Sequence, residues 1–205
     1  MVQDRYCLPD FDHFSYKIAL RPPAAKLVAW CKLEETERRL AMYKWAEGKN
    51  EPGNPRNRVL LNDAVSAFLL TFETTIQFIK NQVPRTRGGR TFDDWLKTLP
   101  ENDALLRGLR TLRHFEAHVE PKPLPRVVNL KFEVNMSGGD TRTETTAHWV
   151  LQELKPGDLT KVTRPLKKVD LPGWNTTVAL MDAPTIFEKG LENLEKILQK
   201  TEKEI

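Results

Sequence analysis

Sulfur is scarce in this chain: 205 residues hold two cysteines, Cys7 and Cys31, too few for the disulfide framework of a small secreted domain. Neither has a histidine at metal-ligand spacing. Both are expected to be reduced and structural, Cys31 on a helix and Cys7 in an N-terminal arm. No Gly-x-Ser-x-Gly occurs, and nothing specific marks a serine or cysteine nucleophile. No unbroken apolar stretch approaches the roughly 20 residues a bilayer crossing needs. The start, Met-Val-Gln-Asp-Arg-Tyr-Cys-Leu-Pro-Asp, lacks the basic-then-apolar pattern of a secretory signal. The expectation is a cytoplasmic protein that makes no use of a membrane. Charge of one sign is also lacking. The 32 basic residues exceed the 28 acidic ones by four, an excess that favours a polyanionic partner without establishing one.

What is present is a soluble globular composition, 40% apolar and 29% charged, which puts weight on well-patterned amphipathic helices. Residues 1–23 read as an irregular segment that tucks its aromatic rings against the surface. A helix is expected from Ala24 to about Glu47, carrying Leu27, Trp30, Leu33, Leu40 and Tyr43. Glycine and proline make a loop of 48–55. The strongest helical signal runs from Pro55 to Val83, where Leu61, Val65, Phe68, Phe72, Ile76, Ile79 and Val83 alternate at three and four residues. Pro84 ends it. Thr91 is an expected N-cap, with Asp94 three residues on, for a short helix through Trp95 to Leu99. Asn102 or Asp103 then caps a helix that begins Ala104-Leu105-Leu106.

After Glu120 the period changes. Pro121, Pro123 and Pro125 break the helix, and Val128, Leu130, Phe132 and Val134 alternate as in a strand. Met136 to Asp140 reads as a hairpin turn and Thr143 to Leu154 as the return strand. Lys155 to Pro172 is a basic connection, and Trp174 to Met181 reads as a further strand. Asp182 caps a last helix whose apolar face is Phe187, Leu191, Leu194 and Leu198. The expected fold is mainly α, an α-dominated α+β arrangement. It is a single domain over 1–205: a helical core at 24–120, a β-hairpin embellishment at 125–181 and a C-terminal helix at 182–205.

Two of only four histidines fall in Arg113-His114-Phe115-Glu116-Ala117-His118. Arginine neutralises phosphate at any physiological pH through a planar fork of donors, and histidine exchanges protons near neutrality. These are the parts needed to cleave a phosphodiester without a metal. At 100° per residue, Leu105, Leu109, Leu112 and Val119 share one face of the helix. Arg107, Arg110, His114 and His118 share the opposite one, with Arg113 at the boundary. Glu116 falls near the apolar stripe, so either it is buried with a cation or the helix breaks near Arg113. Arg85, Arg87 and Arg90 cluster around Gly88-Gly89, a loop able to hold phosphates through backbone amides and guanidinium groups. It lacks the lysine and the spacing of a P-loop, so nucleotide hydrolysis is not expected, and the bland reading is an exposed flexible loop. Glu73, beside the apolar stripe of its helix, either orients Arg113 or His118 or pairs with a lysine.

His114 and His118 also have the i, i+4 spacing of zinc ligands. The acid between them sits two residues from each, unlike His-Glu-x-x-His, and a third ligand would have to come from His148, His13 or a distant carboxylate. No metal and no cofactor is therefore expected. The five tryptophans are spread along the chain and read as core residues, not a base-stacking platform.

Arg113-His114-x-x-x-His118 resembles the Arg-x4-6-His signature of the HEPN superfamily, helical ribonucleases of toxin–antitoxin, abortive-infection and CRISPR-associated systems. His114 occupies the position after the arginine where that family often has a polar residue. The long amphipathic helix before the motif helix is also similar, and the resemblance covers roughly residues 24–120. The β element lies outside the common core. The resemblance implies an endoribonuclease in which His118 exchanges a proton with the 2′-hydroxyl or the departing 5′-oxygen. Arg113 would stabilise charge on the phosphorus, and His114 would orient these groups or share the proton work. It also implies a homodimer whose two motifs form one cleft; beside it, the cationic face and the glycine loop offer RNA contacts from Arg107, Arg110, Arg85, Arg87 and Arg90, with support from Glu73 and Glu116. An antitoxin or another protein partner fits that setting. The alternative is an inert helical module that binds a protein or RNA.

Overall fold

The computed structural model describes residues 27–48, 55–86, 88–118, 126–135, 141–151, 153–156 and 170–204, with side chains of 55–58, 115–118, 126–135 and 141–149 outside that description. The protein is mainly α. In chain order it has α1 (Ala29–Gly48), α2 (Pro55–Gln82), α3 (Phe92–Leu96), α4 (Ala104–His118), β1 (Arg126–Asn135), β2 (Thr141–Val150), α5 (Leu171–Leu180) and α6 (Ala183–Glu204). The N-terminal segment, the turn at 136–140 and most of the basic connection lie outside the described residues.

Helix α2 is the centre, and the stripe read from its sequence is the buried one: Leu61, Val65, Phe68, Phe72, Ile76, Ile79 and Val83 are each 0–3% exposed. Its partners run in a defined sense. Ala29 N donates to Gln82 Oε1, and the buried hydroxyls of Thr36 and Thr75 meet at 3.1 Å. Those pairs advance in opposite directions, so α1 lies antiparallel to α2. Helix α6 is antiparallel to α1 by the same test. Glu202 Oε1 accepts from Leu27 N and Trp30 Nε1 at one end, and Tyr43 meets Phe187 edge-on at 5.0 Å at the other. Phe68 and Phe187 pack at 4.3 Å between ring centroids, joining α2 to α6. Each such fully buried large apolar side chain contributes about 1.5–3 kcal/mol.

By length and composition, Val59–Gln82 is also apolar enough to cross a membrane, although the chain has no unbroken apolar run of that size. Half of that stretch is buried inside the molecule, as a central core helix requires.

Caps set the helix boundaries. Thr91 Oγ1 accepts from Asp94 N at 3.2 Å and starts α3; Asp103 Oδ1 accepts from Leu106 N at 2.9 Å and starts α4; Asp182 Oδ1 accepts from Thr185 N at 3.0 Å and starts α6. The apolar face expected of the last helix, Phe187, Leu191, Leu194 and Leu198, is buried. Cys31 lies on α1 with its side chain exposed.

The segment expected as a strand from Trp174 to Met181 is helical, and Pro172, expected in the connection, lies in that helix. Asp170 Oδ1 accepts from Gly173 N at 3.0 Å, and a proline in the first turn loses no intrahelical bond. Trp174 and Val178, four residues apart, are the pair it buries. Burial at helical spacing outweighs the strand preference of Thr176, Thr177 and Val178. Asn175 adds a tie, donating through Nδ2 to Leu154 O and accepting at Oδ1 from Leu154 N. β1 and β2 pair antiparallel with Arg126 opposite Val150 and Asn135 opposite Thr141. β2 ends at Val150, earlier than expected, and Leu151 and Leu154 just beyond it are buried in the helical core.

Candidate nucleic-acid interface

The motif helix α4 is pinned at its start. Asn193 Nδ2 reaches Asp103 Oδ2 and Glu101 O at 3.3 Å, while Lys200 Nζ donates to both oxygens of Glu101 at 2.6 and 2.7 Å. Leu105, Leu106, Leu109 and Leu112 are buried, together with Thr111, whose hydroxyl donates to Arg107 O at 2.7 Å. Gly108 lies against the Trp174 ring, where an added Cβ would stand 1.9 Å from Cε3. The inward face of α4 is therefore fixed by α5 and α6.

Arg107, Arg110, Arg113 and His114 lie on the other side, each half-buried. Helix α4 continues unbroken to His118, so the alternative of a break near Arg113 falls away. His118 closes the helix; its side chain and that of Glu116 are outside the described residues. Arg107 Nε donates to Asp103 O at 3.1 Å.

Glu73 pairs with Arg110, a partner the sequence did not suggest. Arg110 Nε donates to Glu73 Oε2 at 2.8 Å and Nη2 to Oε1 at 3.1 Å, a side-on bidentate pair between α4 and α2. Gln77 Nε2 donates to Oε1 of the same carboxylate at 2.7 Å. Burial acts against the Arg110 charge. The Glu73 charge and hydrogen bonds, with a smaller pull from Asp93, overcome it and raise the guanidinium above its ordinary value.

Asp93 connects this face to the arginine loop. It opens α3 and pairs with Lys80 of α2 at 2.5 Å. The described residues between those helices are tied by backbone hydrogen bonds. Thr86 N donates to Arg90 O and Gly89 N to Thr86 O at 3.0 Å, Phe92 N reaches Pro84 O at 3.2 Å, and Arg85 bridges Thr91. Gly88 and Gly89 have φ of 90° and 78°, backbone that only glycine adopts without strain. Arg85 and Arg90 are exposed on this turn; Arg87 is outside the described residues.

The charges come from three helices: Glu73 of α2 pairs with Arg110 of α4, and Asp93 of α3, paired with Lys80 of α2, adds a weaker pull on the same guanidinium. The two hydrogen bonds to Glu73 hold the Arg110 guanidinium in one orientation. Among the described residues, no group of three or more histidine, cysteine, aspartate or glutamate side chains could hold a metal ion. Sequence reasoning did not find the Arg110–Glu73 pair, because 37 residues separate its members. The protein is thus defined as a helical bundle with an arginine-rich face on its fourth helix. No protein-family model matches the chain, and no curated protein or solved structure does either.

Proposed function

We propose that this protein is a metal-independent endoribonuclease of HEPN type, cytoplasmic and dimeric, serving as a toxin or antiphage defence effector. The observation that supports this reading is the division of α4: its leucines are buried while Arg107, Arg110, Arg113 and His114 stay half-exposed on the remaining surface. RNA brings its own nucleophile, the 2′-hydroxyl. Attack on the adjacent phosphorus needs a proton acceptor, a donor for the departing 5′-oxygen and a cation for the added charge. Arg113 is the cation in this proposal and His118 the proton carrier, with His114 sharing or orienting. Arg110, fixed by Glu73, and the exposed Arg85 and Arg90 hold neighbouring phosphates, with Arg107 and Arg87 as further contacts. An antitoxin or other protein partner would cover the same face.

The test is cleavage of RNA by the EDTA-treated protein. Arg113→Ala and His118→Ala are each expected to lower the rate by about 10²–10⁴-fold, the range of a lost acid–base or charge-stabilising group, with unchanged circular dichroism. Intact RNA with the wild-type chain, or full activity in both variants, removes the enzyme reading. One observation favours a second reading. Arg110 already holds a carboxylate with two hydrogen bonds, as a purely structural guanidinium would. An inert module that binds a protein or RNA, with the β element as its contact surface, would retain RNA or a partner without cutting.

A further inference from the structure

Glu73 does not use up the arginine it holds. A guanidinium carries its N–H groups in one plane, on three nitrogens. Nε–H and one N–H of Nη2 donate to Glu73 from one edge of that plane. The outer edge, made by Nη1 and the second N–H of Nη2, is a fork of parallel donors. Nη1 has no acceptor among the described residues, and it is not enclosed. The enclosed side-chain atoms without a partner there are Tyr43 Oη, Asn62 Oδ1, Thr86 Oγ1 and Asn102 Oδ1. The Arg110 side chain keeps 24% of its surface in contact with solvent.

Gln77 stands beside the fork. Its Nε2 and Arg110 Nη2 donate to the same oxygen, Glu73 Oε1, at 2.7 and 3.1 Å. Only the nitrogen of an amide can donate to a carboxylate, so this bond fixes the amide and leaves Gln77 Oε1 as an acceptor on an exposed side chain. α2 and α4 thus present parallel donors with an acceptor next to them, all oriented by one carboxylate. A phosphate offers acceptors only, and its oxygens would repel that of Gln77. Guanine presents in order the N7 acceptor, the O6 acceptor and the N1–H donor, which is the matching pattern. Adenine carries a donor in place of O6 and an acceptor in place of N1–H, and cytosine likewise leads with its amino group.

We infer that Arg110 and Gln77, both positioned by Glu73, form a guanine-reading subsite that selects RNA with an unpaired guanine. This rests on the ribonuclease reading and narrows the contact of Arg110 from phosphate to base. The guanine must be unpaired because N1–H is engaged in a Watson–Crick pair. Arg113 follows Arg110 by about one turn of α4, so the base contact lies next to the phosphate assigned to Arg113.

The test is binding of oligocytidine RNA that carries one variable base and is made uncleavable by 2′-O-methyl groups, read by fluorescence anisotropy. The oligomer with guanine is expected to bind about tenfold or more tightly than those with adenine or cytosine. Inosine keeps N7, O6 and N1–H and is expected to bind as guanine does, whereas 7-deazaguanosine lacks N7 and should fall toward adenine. Gln77→Leu, a change at an exposed position, should reduce the preference with circular dichroism unchanged. Arg110→Lys keeps the charge and loses the fork, so the preference should disappear. Equal affinity for every base would overturn the subsite and leave RNA cutting by Arg113 and His118 untouched. A preference unchanged in Gln77→Leu and with 7-deazaguanosine would overturn it too. So would the absence of binding to any oligomer, and the cleavage assay then decides the ribonuclease reading separately.

Discussion

A guanidinium largely withdrawn from water is stable only beside a matching anion, and Arg110 meets that condition through two hydrogen bonds to Glu73. Their side chains are 24% and 15% exposed, so solvent screens the pair only in part. Removing one member leaves the other charged and poorly hydrated. Glu73→Leu is expected to destabilise the fold by about 1–3 kcal/mol, less than the roughly 3–5 kcal/mol of a completely buried pair because some water still reaches this one. Arg110→Met alone should cost a similar amount, since Glu73 then loses its cation. Both changes together should cost less than the sum of the two, because no orphan charge remains. Urea unfolding of the two single variants and the double variant measures this coupling, and additive losses would show the pair to be incidental.

At the scale of elements, the contact between α4 and α5 depends on what Gly108 lacks. A Cβ there would stand 1.9 Å from Trp174 Cε3 and 2.5 Å from Cδ2, and the ring is fully buried. Gly108→Ala gains about 1 kcal/mol of helix propensity, yet overpacking of this kind costs typically about 1–3 kcal/mol or more. The net expectation is a lower Tm with altered tryptophan fluorescence; an increase in stability would mean that α5 can move away freely. This contact also explains what sequence could and could not reveal. The stripe from Leu61 to Val83 was legible because one helix buries one face, and periodicity records that directly. The caps Thr91, Asp103 and Asp182 were legible because a helix N-terminus is satisfied by residues within three positions. α5 was misread because its β-branched residues suggest a strand, while the fact that decides it, a Trp174 ring lying on Gly108, joins residues far apart in the chain. The same limit applies to the face of α4. Its division into leucine and arginine sides was visible in the helical period, but the partner of Glu73 belongs to tertiary packing alone.

For the whole molecule, α6 is the element that gathers the others. It touches α1 at both ends, stacks Phe187 on Phe68 of α2, and fixes the loop before α4 through Asn193 and Lys200. The Lys200–Glu101 link has a consequence in acid. Burial raises the Glu101 carboxyl, but the Lys200 hydrogen bonds and charge, a backbone hydrogen bond and the Lys196 charge together hold it below its ordinary 4.5. A depressed carboxyl stabilises the fold in full above its unfolded value, and that stability disappears as pH falls through the lowered folded one. Glu101 thus acts on the acid limb of the stability curve. Glu101→Gln keeps the shape and gives up the charge, so its Tm is expected to lie below wild type at pH 7 and to converge on it as the pH drops below 4. Thermal scans at pH 7, 5 and 3 check this. A constant gap between the two proteins at all three pH values would mean that Glu101 contributes through packing and not through its ion pair, and the anchoring of α4 to the last helix would then rest on Asn193.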